Sequence, residues 1–103
     1  MSGTTKVYSG DRTIDGAVVQ VDGVEFRAKE PRERNFEWGY EGTSPLELSR
    51  AILTDHLGDQ RRAETLAPAF MREVVANFAN EWQMSSQDID VALKMIVAQP
   101  ATG

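Results

Sequence analysis

The apolar spacing of this chain changes once, at Ser44, and that change limits what it can fold into. Before Ser44, Gly10, Gly16, Gly23, Gly39 and Gly42 punctuate short β-branched or aromatic runs, the pattern of strands joined by turns. After it, apolar residues recur at three- and four-residue spacing, the pattern of helices that bury one side. This order predicts an α+β domain: a small antiparallel sheet of three to four strands from the N-terminal half, packed against three helices from the C-terminal half. A chain of 103 residues can build one hydrophobic core but not two. Residues 5–98 are therefore expected to form a single domain, with 1–4 and 99–103 as flexible ends.

Asp22-Gly23 in "AVVQVDGVEFRA" is the strongest hairpin signal, because a type I′ turn needs positive φ at both central residues. Val19, Val21, Val24 and Phe26 then face inward. "TKVYSG" reads as a third strand and "NFEWGY" as a fourth, whose alternation places Phe36, Trp38 and Tyr40 on one face and Glu37 on a solvated opposite face. Ser44, Pro45 and Glu47 predict a capping box at the start of the first helix, followed by Leu48, Ala51, Ile52 and His56 on one stripe and a stop at Gly58. A second helix from about 61 to 79 buries Ala63, Leu66, Ala67, Phe70, Val74 and Phe78, and Pro68 predicts a break near 65–67. Ser85 and Asp88 stand at capping spacing before a third helix lined by Ile89, Ala92, Leu93 and Ile96.

Several functional classes recede on composition. Without cysteine there is no disulfide, thiolate metal site or thiol nucleophile, which fits a reducing cytoplasm. No apolar run approaches the roughly 20 residues of a membrane helix. A net charge of −5 opposes loose adhesion to phosphate backbones, so nucleic acid is a disfavoured partner. His56 is the single histidine, too few for a nitrogen-rich metal site, and it suits the C-terminal end of its helix better than catalysis. There is no nucleophile-elbow sequence and no phosphate-cradling glycine loop. No catalytic residue, metal ligand or cofactor is expected.

The run "FEWGYEGTSPLELSRAILTDHLGD", with "FMREVVA" and a tryptophan before "SSQDID" further on, resembles a small domain of unknown function found in bacteria, phages, plasmids and integrated elements. The likeness extends from about Tyr8 to Val97. That family's core pattern is Phe-Glu-Trp-Gly-Tyr-Gly-Gly followed by Pro; here Phe36, Glu37, Trp38, Gly39, Tyr40, Gly42 and Pro45 match, and Glu41 stands in place of the first of the two glycines. The resemblance implies a mobile-element setting and supplies no catalytic residues.

Trp38 and Tyr40 suit a scaffold bridging sheet and helix more than a working site, with a binding surface next and catalysis last. The candidate partner-binding residues are Arg27, Lys29, Arg32 and Arg34 in the charged stretch "FRAKEPRERNFEW", together with Glu37, Tyr40 and Glu41. The function expected is that of a small non-enzymatic accessory protein of a phage or mobile element. It would bind and modulate a host protein, in concrete form as an anti-CRISPR-like inhibitor of a nuclease-based defence complex. The runner-up is a nucleic-acid-associated regulator that uses the basic 27–34 loop.

Overall fold

A computed structural model describes residues 5–14, 16–26 and 36–98 of the protein. It is an α+β fold in the order β1 (Val7–Thr13), β2 (Gly16–Val21), β3 (Val24–Glu25), α1 (Thr43–Leu57), α2 (Gln60–Glu73), a 3-10 turn (Val75–Asn77), β4 (Trp82–Ser85) and α3 (Ser86–Ala98). The four strands form one antiparallel sheet in the order β3-β2-β1-β4.

The β2–β3 turn sets the register. Asp22 and Gly23 take φ of 53° and 84°, the positive pair that this turn needs. Asp22 also ties the turn to β1: its carboxylate accepts the Val7 amide at 2.8 Å, and its own amide donates to the Val7 carbonyl at 2.8 Å. With register fixed, Tyr8, Val19 and Trp82 turn into the core and Val21 and Met84 pack against it. Ser9, Asp11, Thr13, Val18, Gln20 and Gln83 alternate onto the opposite face, where they are half-buried or exposed.

Two expectations about the sheet need correction. The fourth strand is Trp82–Ser85, from the far end of the chain, and residues 36–40 pair with no strand. Gly39, at φ 87°, turns the chain and donates its amide to the Val75 carbonyl at 3.0 Å. The two-residue alternation therefore ends there: Phe36 and Trp38 are buried, whereas Tyr40 is 48% exposed. Val24 is 70% exposed because β3 lies at the margin of the sheet, although Val19, Val21 and Phe26 do face the core as expected.

Helix α1 begins at Thr43 with Gly42 as N-cap and has no side-chain cap, so Ser44 and Glu47 form no capping box. The ring of Tyr40 lies across Gly42, and a Cβ there would come within 2.8 Å of it. That packing brings the backbone into the helix ahead of Ser44, and Glu47 pairs instead with Arg50 at 2.6 Å. The C-terminal end is as expected, with Gly58 left-handed at φ 68° and its amide on the Thr54 carbonyl. Pro68 does not break α2, which runs unbroken from Gln60 to Glu73. The proline lies on the exposed side, as does Glu64, whose carbonyl loses its amide partner and can turn to water instead. Asp59 caps this helix through the Arg62 amide, while Ala63, Ala67 and Phe70 hold the opposite side in the core.

At α3 the capping box forms as expected. Ser85 Oγ accepts the Asp88 amide and Asp88 Oδ2 accepts the Ser85 amide, each at 3.0 Å. One apolar cluster joins the helices, the 3-10 turn and strands β1, β2 and β4, with Tyr8, Trp38, Ile52, Phe70 and Ile89 fully buried in it.

Urea or thermal denaturation should separate the two serines. Ser85→Ala should lose about 1 kcal/mol as an N-cap deletion, whereas Ser44→Ala should stay within about 0.5 kcal/mol. Trp38→Ala should cost about 3 to 5 kcal/mol as a large core truncation, and a melting temperature near the parent's would contradict the packing described here.

Candidate functional site

The segment from Phe36 to Gly42 gathers the most specific contacts of the fold. Phe36 is buried against Phe26, with ring centroids 5.9 Å apart. Trp38 meets Trp82 edge-on at 5.7 Å and 80°, and Trp82 stacks on Phe78 at 4.2 Å and 14°. Such pairs add to the area that the rings bury, which offsets the cost of two indole N–H groups left without a partner among the described residues.

Arg12, at the end of β1, clamps this segment to the sheet. One guanidinium nitrogen donates to Glu37 Oε1 at 2.8 Å and to the Trp38 carbonyl at 2.9 Å, and the other donates to Asn80 Oδ1 at 2.8 Å. The guanidinium carbon also stands 4.8 Å from the centroid of the Trp38 ring. Glu37 is thus a half-buried partner of Arg12, not the solvated strand residue that alternation predicts. Each exposed ion pair contributes little alone, but this set fixes the backbone on both sides of Trp38. A Cβ at Gly39 would approach the Phe78 carbonyl to 3.2 Å, so the turn after Trp38 is closed in as well.

Beyond the turn, Tyr40 lays its ring over Gly42 and stays half exposed, and Glu41 is exposed next to it. Of the expected partner-binding residues, Glu37, Tyr40 and Glu41 therefore lie on one short, fixed segment. Arg27, Lys29, Arg32 and Arg34 lie outside the described residues. Arg12 and Asn80 escape a reading of the sequence, although Arg12 shares the inward alternation of Tyr8 and Gly10. A charged side chain on the apolar side of a strand signals a buried partner.

A second polar cluster joins the sheet to the helices. Tyr8 Oη donates to Asp55 Oδ2 at 2.5 Å, and Lys6 Nζ reaches the same oxygen at 3.0 Å. At the next residue, His56 Nε2 donates to Asp90 Oδ1 at 2.6 Å, so the histidine that the sequence places at a helix end links α1 to α3. Burial, then the hydrogen bond to Asp55, then the charges of Asp55 and Asp22 push the Tyr8 hydroxyl well above the ordinary tyrosine value. Burial alone would raise Asp55, but hydrogen bonds from Tyr8 and Lys6, with the charges of Lys6 and His56, hold it below the ordinary aspartate value. Tyr8 is thereby kept as a neutral donor and Asp55 as an anion, an arrangement suited to a strut.

Among the described residues no group of three or more His, Cys, Asp or Glu side chains is arranged to hold a metal ion, and no helix is long and apolar enough to cross a membrane. The profile of a family of unknown function, DUF6166, matches residues 8–95, from β1 to the last turns of α3. No curated protein and no solved structure matches the chain.

The strut gives the fold a defined pH window. Asp55 is depressed in the folded state, so its contribution is complete above about pH 4 and is lost as pH falls through its folded value. Tyr8 is raised, so its contribution is complete below about pH 10 and is lost as pH rises further. Tyr8→Phe should cost about 1.5 to 3 kcal/mol at neutral pH, as the loss of a hydrogen bond to a charged group. In denaturation curves taken across pH, its deficit relative to the parent should shrink at both extremes. A deficit independent of pH would mean that Tyr8 contributes through its ring alone.

Proposed function

We propose that this chain, which belongs to the DUF6166 family of unknown function, is a non-enzymatic protein that acts by binding a protein partner through the surface around Tyr40. The observation that carries the reading is that Tyr40 is half exposed while its ring packs so closely on Gly42 that a Cβ there would come within 2.8 Å of it. Association normally costs entropy as side chains are ordered at the interface, and a ring already fixed on the free protein loses little. Tyrosine is also prominent among residues that dominate binding energy. Glu41 and the Arg12–Glu37 pair supply a polar rim around it.

The setting comes from the resemblance of "FEWGYEG" to a phage- and plasmid-borne domain. On that basis the concrete role is an accessory protein that binds and modulates a host factor in the cytoplasm, the instance being an inhibitor of a nuclease-based defence complex. Arg27, Lys29, Arg32 and Arg34, which precede the Tyr40 segment in sequence, are proposed as further contacts to the same partner.

Capture of a partner from bacterial lysate, followed by affinity measurement with the purified pair, tests this. Tyr40→Ala should weaken binding by about 2 kcal/mol or more, roughly thirtyfold. Joint Arg32→Glu and Arg34→Glu should also weaken it, with stability changed by no more than about 0.5 kcal/mol. Capture that disappears on nuclease treatment and falls steeply with salt would favour nucleic acid as the partner. If both variants bind the partner as the parent does, the Tyr40 surface is not the interface.

A further inference from the structure

We infer that the open face of the sheet is a second docking surface, one that receives a lysine- or arginine-rich segment of another protein on the carboxylates of Asp11 and Glu81. The face is concave, with a cavity of about 400 Å³ lined from β1, β2, β4 and the residue before β4. Its polar character follows from alternation. Ser9 pairs with Gln20 on one side and with Gln83 on the other, which sets a hydroxyl between two amides across three strands. Asp11 continues the same face along β1. Glu81 precedes Trp82, whose partner is Gly10, so it projects at the Asp11 end of the cavity.

Charge singles out the occupant. No lysine or arginine among the described residues lines the cavity. Arg12, the base nearest in sequence, is drawn to the other face by Glu37, the Trp38 carbonyl and Asn80. Lys6 is tied to Asp55 and Arg50 to Glu47, and the other described bases belong to α2 and α3. Asp11 and Glu81 make no ion pair among the described residues, so two like charges share one end of a rigid platform. A cationic side chain would relieve their repulsion. An arginine fork matches a carboxylate in geometry, and the flanking amides and hydroxyl can bond to its backbone. Nucleic acid is repelled by the same charges, and an apolar helix would strand these polar groups without partners.

Titration of a nona-arginine peptide into the isotope-labelled protein, followed by amide chemical shifts, tests the inference. The largest shifts should fall on Ser9, Asp11, Gln20 and Gln83. Joint Asp11→Asn and Glu81→Gln should weaken the peptide about tenfold, as expected for two exposed ion pairs. Joint Glu64→Gln and Glu73→Gln on α2 makes the same change in net charge and should leave affinity within about twofold. If the first double variant does not fold, Glu81→Gln alone, outside any strand, should still give about a threefold loss. Equal losses from the two double variants would reduce the effect to net charge and overturn the inference, as would shifts centred on the helices. Tighter binding of a neutral oligosaccharide than of the peptide would also overturn it. Tyr40→Ala should leave peptide affinity unchanged, so this surface and the Tyr40 surface can fail separately; a loss there would merge the two and overturn the inference.

Discussion

Trp38 sits where distant parts of the chain must agree. Its ring is closed in by the Arg12 guanidinium from β1 and by the edge of Trp82 from β4, and the turn after it is bonded to the Val75 carbonyl. Trp82 reaches this position only because Gly10 has no side chain, since a Cβ there would stand 2.2 Å from the indole nitrogen. The β1–β4 pairing, the 3-10 turn and the irregular segment before α1 therefore all pack on or bond to the same short stretch around Trp38. Segments far apart in sequence close around one indole, and the helices pack against the result.

Polar contacts then fix angles that apolar packing alone leaves loose. Tyr8 and Lys6 meet on one oxygen of Asp55, binding β1 to α1, and His56 meets Asp90, binding α1 to α3. The two links leave neighbouring residues of one helix, so α1 is oriented from both sides near its C-terminal end. These bonds specify orientation, while the buried cluster around Leu48, Ile52 and Phe70 supplies most of the free energy.

What was legible in the sequence was local. Asp22-Gly23, Gly58 and the Ser85–Asp88 pair each act within a few residues, and each behaves as its type predicts. The helical stripes were legible because burial repeats along them. Ser44 misled because a side chain from outside the helix, the Tyr40 ring, governs how the backbone enters α1. "NFEWGY" imitates a strand through its alternating rings, while the true fourth strand is only Trp82–Ser85, too short and too polar to announce itself. The Arg12 clamp was hidden because its partners Glu37 and Asn80 are 25 and 68 residues away in sequence. Of the proposed binding residues, Tyr40 and Glu41 were legible as a segment, but their fixed and exposed placement depends on Gly39, Gly42 and Phe78, and so on tertiary structure.

The junction of β4 and α3 bears on whether the protein resists aggregation. Ser86 donates its amide to the Lys6 carbonyl at 2.8 Å, so residues 82, 84 and 86 turn their backbone groups toward β1, while 83 and 85 turn theirs outward along the margin of the sheet. The outward amide of Ser85 is the one that Asp88 accepts in the capping box. A contact that starts a helix thus removes a donor from the edge strand, leaving the Gln83 amide as the outward donor between Trp82 and Ser86. At the other margin β3 is only two residues long. Among the described residues, neither border offers a long row of free groups of the kind that recruits a strand from another molecule, which guards the sheet against growing sideways into fibrils.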